Sequence, residues 1–107
     1  TEVGRLICPQ TRAVVMTHAS NVCGTILPVC EVGAICRRHG IPLVIDAAQT
    51  AGVVPISMEG CGAAAICFTG HKGLLGPQGI GGCVLDPEFA TQIDALVAGG
   101  TGSHSDS

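Results

Sequence analysis

The distribution of apolar and polar positions along the chain predicts short buried strands separated by helices and polar loops. Three apolar runs, partly β-branched and without strict alternation, occupy residues 13–17, 43–45 and 63–68. Runs of this length and composition are typical of strands that are covered on both faces. A fourth strand is predicted at 81–85, after a glycine-rich loop.

Two helices are predicted between and after these strands. The first begins at Pro28, carries apolar residues at helical spacing and ends before Gly40 and Pro42. The second begins at Pro87 and runs through Val97. Because a helix of about a dozen residues joins the first two strands, the pattern indicates a parallel βαβ unit and an α/β fold.

Composition predicts that the 107 residues are part of a larger unit. Only 12% of them are charged, against roughly 25% in typical soluble domains, while 47% are hydrophobic and the mean hydropathy is +0.52. The net charge of −3, with no basic stripe and two aromatic residues, argues against a nucleic-acid partner. No apolar run approaches the roughly 20 residues of a membrane span, and no signal peptide is found.

Seven cysteines without a C-x-x-C pair argue against a disulfide framework and against a zinc site. We expect most of them to be small buried hydrophobic residues in a reducing cytoplasm. No metal site is predicted.

Polar residues gather where the predicted strands end, and parallel sheets place ligand sites at that edge. Lys72, the only lysine, follows the third strand among glycines. Lys72 has two interpretations: it is either a solvated loop lysine or a nucleophile held in a pocket. The order of residues matches neither a P-loop nor a G-x-G-x-x-G nucleotide motif.

Asp46 closes the second strand and also has two interpretations. It could cap the segment that follows, as Asp often does. Alternatively, its carboxylate could hold a protonated heteroaromatic nitrogen. Pyridoxal 5'-phosphate (PLP) requires such a partner, together with a lysine that forms its imine.

Three strings carry a family resemblance: THASNVCGTILPV (17–29), VIDAAQTAGVVPI (44–56) and FTGHKGLLGPQGIGG (68–82). With the tail GGTGS, they resemble the class V aminotransferases of fold-type I, and more narrowly the cysteine desulfurases and selenocysteine lyases. The resemblance runs through almost the whole chain in the correct order. It implies four strands of a larger, mostly parallel sheet whose last strand is antiparallel.

The resemblance assigns roles around the PLP ring. Lys72 would form the covalent imine with PLP and then act as acid and base. Asp46 would hold the pyridinium nitrogen, and Ala48 would press on one face of the ring. Gln49 and Asn21 would lie near the phenolic oxygen, with Asn21 also near a substrate carboxylate.

The resemblance also assigns residues to the phosphate group of PLP. Thr69 and His71 would bind it, and Thr101 would reach the active site of a partner subunit. Two histidines receive other interpretations: a structural role is favoured for His18, and His39 is expected at a helix end.

The resemblance implies that residues 1–107 are the central portion of a PLP-binding large domain, without the family's N-terminal segment and C-terminal small domain. The complete enzyme would remove sulfur or selenium from cysteine or selenocysteine and leave alanine. We expect the piece alone to be inactive or weakly active, cytoplasmic and homo-oligomeric. The alternatives are transamination, epimerisation or β-elimination on the same cofactor, or an oligomeric remnant without catalysis.

Overall fold

The computed structural model describes residues 2–97, which form one four-stranded sheet with short helices. The helices are α1 (Glu2–Leu6), α2 (Val29–Arg38), α3 (Met58–Cys61) and α4 (Pro87–Ala90), and the strands are β1 (Val14–Thr17), β2 (Leu43–Asp46), β3 (Ala65–Thr69) and β4 (Gly81–Leu85). The strands lie in the order β1-β2-β3-β4; the first two pairings are parallel and the last is antiparallel. The predicted α/β class and the antiparallel last strand are confirmed.

Helix α2 packs its apolar side on one face of the sheet and forms the core there. Leu43 and Ile45 of β2 are fully buried beneath it. The helix ends as predicted: Gly40 takes a left-handed backbone conformation with φ of 65°, and the N–H of Ile41 donates to the Cys36 carbonyl at 2.9 Å. The other face of the sheet is less covered, since Val15 on β1 is 70% exposed.

The helix predicted from Pro87 through Val97 is much shorter than expected. Asp86 caps its start by accepting from two backbone N–H groups, but α4 ends at Ala90. Apolar side chains beyond that point lack a surface to pack on, and Leu96 is 99% exposed. A helix without tertiary packing is marginal in water, so the apolar spacing alone was not sufficient. The bounds of β4 agree with the prediction.

The expectation about cysteines was wrong in two respects. Cys30 of α2 and Cys61 of α3 form a disulfide. Three of the free cysteines, Cys8, Cys23 and Cys83, are exposed, whereas Cys36 is buried. The sequence signal failed because α3 spans four residues, too few to show a helical period that would have placed Cys61 beside α2.

Helices α1 and α3 were not predicted for the same reason. Between residues 2 and 97, no helix is both long enough and apolar enough to cross a lipid bilayer.

Candidate active site

A cavity of about 390 Å³ lies where β1, β2 and β3 end and their loops begin. Other cavities in the described part of the chain measure 370–430 Å³, so size does not distinguish this one. Its lining does, because it gathers polar residues from three loops: Thr17, Ala19, Ser20, Asn21, Asp46, Ala48, Gln49 and Lys72. Five of the residues singled out from the sequence therefore share one cavity, namely Asn21, Asp46, Ala48, Gln49 and Lys72.

The loop after β1 carries Asn21 and is closed by its own hydrogen bonds. The Thr17 hydroxyl donates to the Ala19 carbonyl at 2.9 Å. The Ser20 hydroxyl accepts from the N–H of Val22 at 3.1 Å. Local side-chain bonds of this kind favour turns over continued strand, which explains why the chain turns here at the end of the strand.

The loop after β2 places Asp46 at the cavity. Its Oδ1 accepts from the N–H of Ala48 at 2.9 Å, and the N–H of Thr50 donates to the Ala47 carbonyl at 3.1 Å. Asp46 therefore caps the turn that follows it, which is the first of its two interpretations. Its side chain is also exposed and lines the cavity, so capping does not remove it from the candidate site.

A buried side-chain pair joins these two loops. His18 Nδ1 and Thr50 Oγ1 are 2.7 Å apart, and His18 and Thr50 are only 5% and 1% exposed. The N–H of His18 also donates to the Asp46 carbonyl at 2.8 Å, which extends the parallel ladder past the end of β1. The structural role favoured for His18 is confirmed, and the pair fixes the spacing between the loops that carry Asn21 and Asp46.

The loop from β3 to β4 carries Lys72 and is held by backbone contacts. At its base, the N–H of Gly70 donates to the Ile80 carbonyl and the N–H of Gly76 to the Gly70 carbonyl, both at 2.7 Å. Gly73, next to Lys72, touches the segment that follows Gln49. A Cβ on Gly52 would lie 2.8 Å from the Gly73 carbonyl oxygen, so the approach requires glycine.

Lys72 and Asp46 line the same cavity with opposite charges and are not bonded to each other. In residues 2–97, the one ion pair joins Arg5 to Glu2. A cationic amine and a carboxylate that face one cavity without pairing leave both groups available to a ligand. This arrangement suits a ligand that carries an electrophilic carbon at one end and a basic ring nitrogen at the other.

Thr69 and His71 lie just before Lys72 but do not line the cavity. The Thr69 hydroxyl and His71 Nδ1 are 2.8 Å apart, so the two predicted phosphate ligands already form a pair. His39 lies at the C-terminal cap of α2, as expected for a helix-end residue. Thr101 falls outside the described residues.

Thr17, Ala19 and Ser20 also line the cavity. The sequence places them at the same sheet edge as Asp46 and Lys72, because they follow the first predicted strand, but it assigns no individual role to any of the three. Within the described range, His, Cys, Asp and Glu side chains form no group of three arranged to hold a metal ion.

Cys23, two residues after Asn21, is an exposed thiol with an altered acidity. Hydrogen bonds from the hydroxyls of Ser20 and then Thr25 lower its pKa to about 7. A hydrogen bond to a thiolate stabilises the charged form, so Cys23 is partly ionised at neutral pH.

Comparison with known proteins points to one family. The model of the family described as aminotransferase class-V matches residues 1–106. A probable cysteine desulfurase of Methanothermobacter thermautotrophicus is 38% identical over 90 residues, which are 84% of this chain and 22% of that protein. The mitochondrial cysteine desulfurase of Arthroderma benhamiae is 36% identical over 88% of this chain and 18% of its own length.

Comparison with solved structures gives a consistent result. The apo cysteine desulfurase of Thermococcus onnurineus superposes with a TM-score of 0.78 and 37% identity, over 83% of this chain and 22% of that one. SspA in complex with cysteine superposes with a TM-score of 0.86 and 28% identity, over 92% of this chain and 28% of that one. The chain thus spans about a fifth of the curated relatives' length, and it belongs to the class-V aminotransferase family.

Proposed function

We propose that this chain supplies the PLP-binding centre of a cysteine desulfurase-like enzyme. One observation carries the proposal: Lys72 and Asp46 line a single cavity and are not paired with each other. The mitochondrial relative and the Thermococcus onnurineus neighbour carry the name cysteine desulfurase, and the Methanothermobacter relative that of a probable cysteine desulfurase, which favours sulfur removal over transamination or epimerisation. One neighbour was solved with cysteine, which favours that amino acid as substrate.

The donor set fits PLP. The Lys72 amine would hold the aldehyde carbon, and the Asp46 carboxylate would hold the proton on the ring nitrogen. The Ala48 side chain is small enough to lie against a flat ring, while Gln49 and Asn21 offer amide donors for the phenolic oxygen. Thr69 and His71, which precede Lys72 but do not line the cavity, would supply a hydroxyl and an imidazole for the phosphate.

The chemistry then divides between cofactor and protein. PLP, when bound, withdraws electrons from the α-carbon of the amino acid. Asp46 would keep the ring nitrogen protonated, because a carboxylate stabilises a nearby cation. Lys72 would act as the base within the cavity, taking the α-proton of the amino acid and returning it.

We further propose that residues 1–107 correspond to the central part of the cofactor-binding domain. The rest of the enzyme would bring the groups that fix the substrate carboxylate and accept the sulfur. Because positioning needs contacts from several directions, we expect the chain alone to turn over cysteine slowly or not at all. Selenocysteine as a substrate, a homo-oligomer in which Thr101 reaches the partner's site, and a cytoplasmic location stay predictions.

The experiment is borohydride reduction of the chain in the presence of PLP, followed by peptide mass mapping. We expect one phosphopyridoxyl group on Lys72, and with it the loss of tryptic cleavage between residues 72 and 73. Lys72→Arg is the matched control, because it keeps the positive charge but cannot form the imine; it should take no group at this position. Asp46→Asn should weaken PLP binding without moving the attachment point.

The proposal fails if the folded chain takes the group only at its terminal amine. It also fails if Lys72→Arg leaves the absorbance change on adding PLP unaltered. Circular dichroism of each variant verifies that the sheet is intact.

A further inference from the structure

Two free cysteines face each other across the last two strands. Cys67 of β3 and Cys83 of β4 are direct partners in the antiparallel register. Both are free thiols; Cys83 is exposed and Cys67 is half-buried. Directly opposed residues in an antiparallel pair project from the same face of the sheet, so the two thiols leave on the same side.

The hydrogen bonds at both ends of the β3–β4 ladder show which type of antiparallel position Cys67 and Cys83 occupy. The N–H of Asp86 donates to the Ala64 carbonyl at 2.8 Å, and the N–H of Gly70 donates to the Ile80 carbonyl at 2.7 Å. These are the hydrogen-bonded positions of the ladder, and they recur at every second residue. The cysteine pair falls between them, at a non-hydrogen-bonded position, where opposed Cα atoms approach to about 4.5 Å. That separation lies within the range of about 4.4–6.8 Å that a disulfide requires.

The pair also lies beside the candidate active site. Asp46 of β2 is the register partner of Cys67, so the three side chains form a row across one face of the sheet. Burial, then the neighbouring Cys83 and Asp46 charges, raise the pKa of the Cys67 thiol. The segment between the two cysteines contains Lys72.

We propose that Cys67 and Cys83 are a modification site that closes to a reversible cross-strand disulfide by exchange with a low-molecular-weight disulfide such as oxidised glutathione. The bond would link the two ends of the segment that carries Lys72. The inference rests on strand register and thiol exposure and does not depend on PLP binding.

The exchange balances in two steps. The Cys83 thiolate, which is the accessible one, attacks one sulfur of the small disulfide and releases one small thiolate. Cys67 then loses its proton and attacks the Cys83 sulfur, which releases the second small thiol. Two protein thiols are oxidised, and one small disulfide is reduced to two thiols.

The position of Lys72 makes the test direct. Trypsin cuts after Lys72, so Cys67 falls in the 39–72 peptide and Cys83 in the peptide that begins at residue 73. The reduced chain is incubated with oxidised glutathione, remaining thiols are alkylated, and the digest is mapped by mass. We expect these two peptides to be linked, in wild type and in the exposed-cysteine control Cys23→Ser, and unlinked in Cys67→Ser and Cys83→Ser.

Two further measurements identify the bonded cysteines and the chains to which they belong. Mixing labelled and unlabelled chains shows whether the link is within one chain, as expected, or between chains. Cys61 shares the 39–72 peptide with Cys67, so fragmentation of the linked wild-type peptide identifies the bonded residue even if a variant does not fold. The proposal is overturned if folded wild type carries glutathione or alkyl on Cys83 with no link, if the link is to Cys61, or if it joins only different chains.

Discussion

The two sides of the candidate active site are built differently. The loops after β1 and β2 are joined by the His18–Thr50 pair, which is almost fully buried. The loop that carries Lys72 is exposed along most of its length and is held by backbone hydrogen bonds and by the contact between Gly52 and Gly73. Stability is therefore uneven around one cavity, which is common at ligand sites. The carboxylate side is fixed by the core, whereas the amine side depends on surface contacts.

Removing the buried pair should have the largest effect. Thr50→Val keeps the shape of the side chain but leaves the His18 ring nitrogen without its partner. An unsatisfied buried polar group costs about 1–3 kcal/mol, so we expect the free energy of unfolding to fall by about that amount. Urea unfolding followed by circular dichroism measures it.

Thr25→Val is the matched control, since Thr25 is exposed and belongs to the same side of the cavity. A surface change of this kind is expected to stay within about 0.5 kcal/mol. If the two threonine variants lose stability equally, the His18–Thr50 pair does not stabilise the loops after β1 and β2.

A smaller, local effect is expected on the Lys72 side. Ala at position 52 would place a Cβ 2.8 Å from the Gly73 carbonyl oxygen and separate the Lys72 loop from its support. We expect tryptic cleavage after Lys72 to become roughly tenfold faster, equivalent to about 1.4 kcal/mol of local opening free energy. Gly52→Ala leaves the residues around the cut unchanged, so the rate reports on opening.

Gly24→Ala provides the control for backbone strain. Gly24 and Gly52 both have positive φ, 69° and 84°, but a Cβ on Gly24 would meet nothing within 4 Å. The control should cleave at the wild-type rate. Equal acceleration in both variants would mean that general destabilisation, and not the Gly52–Gly73 contact, governs the loop.

The contrast also explains what the sequence could predict. Asp46 and Lys72 could be placed at one edge because each follows a buried strand, and strand order alone then brings them together. The His18–Thr50 pair could not be predicted, since its members lie 32 residues apart and meet only through packing. The length of α4 was wrong for a related reason: the pattern after Ala90 is apolar, but nothing in the pattern shows whether a surface exists to cover it.

The arrangement of the cysteines could not be predicted from the sequence either. The spacing of the cysteines contains no C-x-x-C pair, yet it carries no information on which cysteines are opposed or exposed. The Cys30–Cys61 disulfide depends on α3 packing against α2, and the Cys67–Cys83 pairing depends on strand register. Both are properties of the assembled fold and not of local sequence.

The smallest effect is expected in the loop after β1, at the point where it reaches solvent. The pKa of Cys23 is lowered to about 7, chiefly by the Ser20 hydroxyl, so its alkylation rate should rise through half of its maximum near pH 7. Ser20→Ala removes a bond that favours the thiolate, which raises the pKa and slows alkylation at pH 7 by a few-fold. At a pH high enough to ionise the thiol fully, the two rates should converge if Ser20 acts through the acidity of the thiol. A difference that persists there would mean that Ser20, whose hydroxyl also accepts from the N–H groups of Val22 and Cys23, controls the access of the reagent to Cys23 through the shape of the loop.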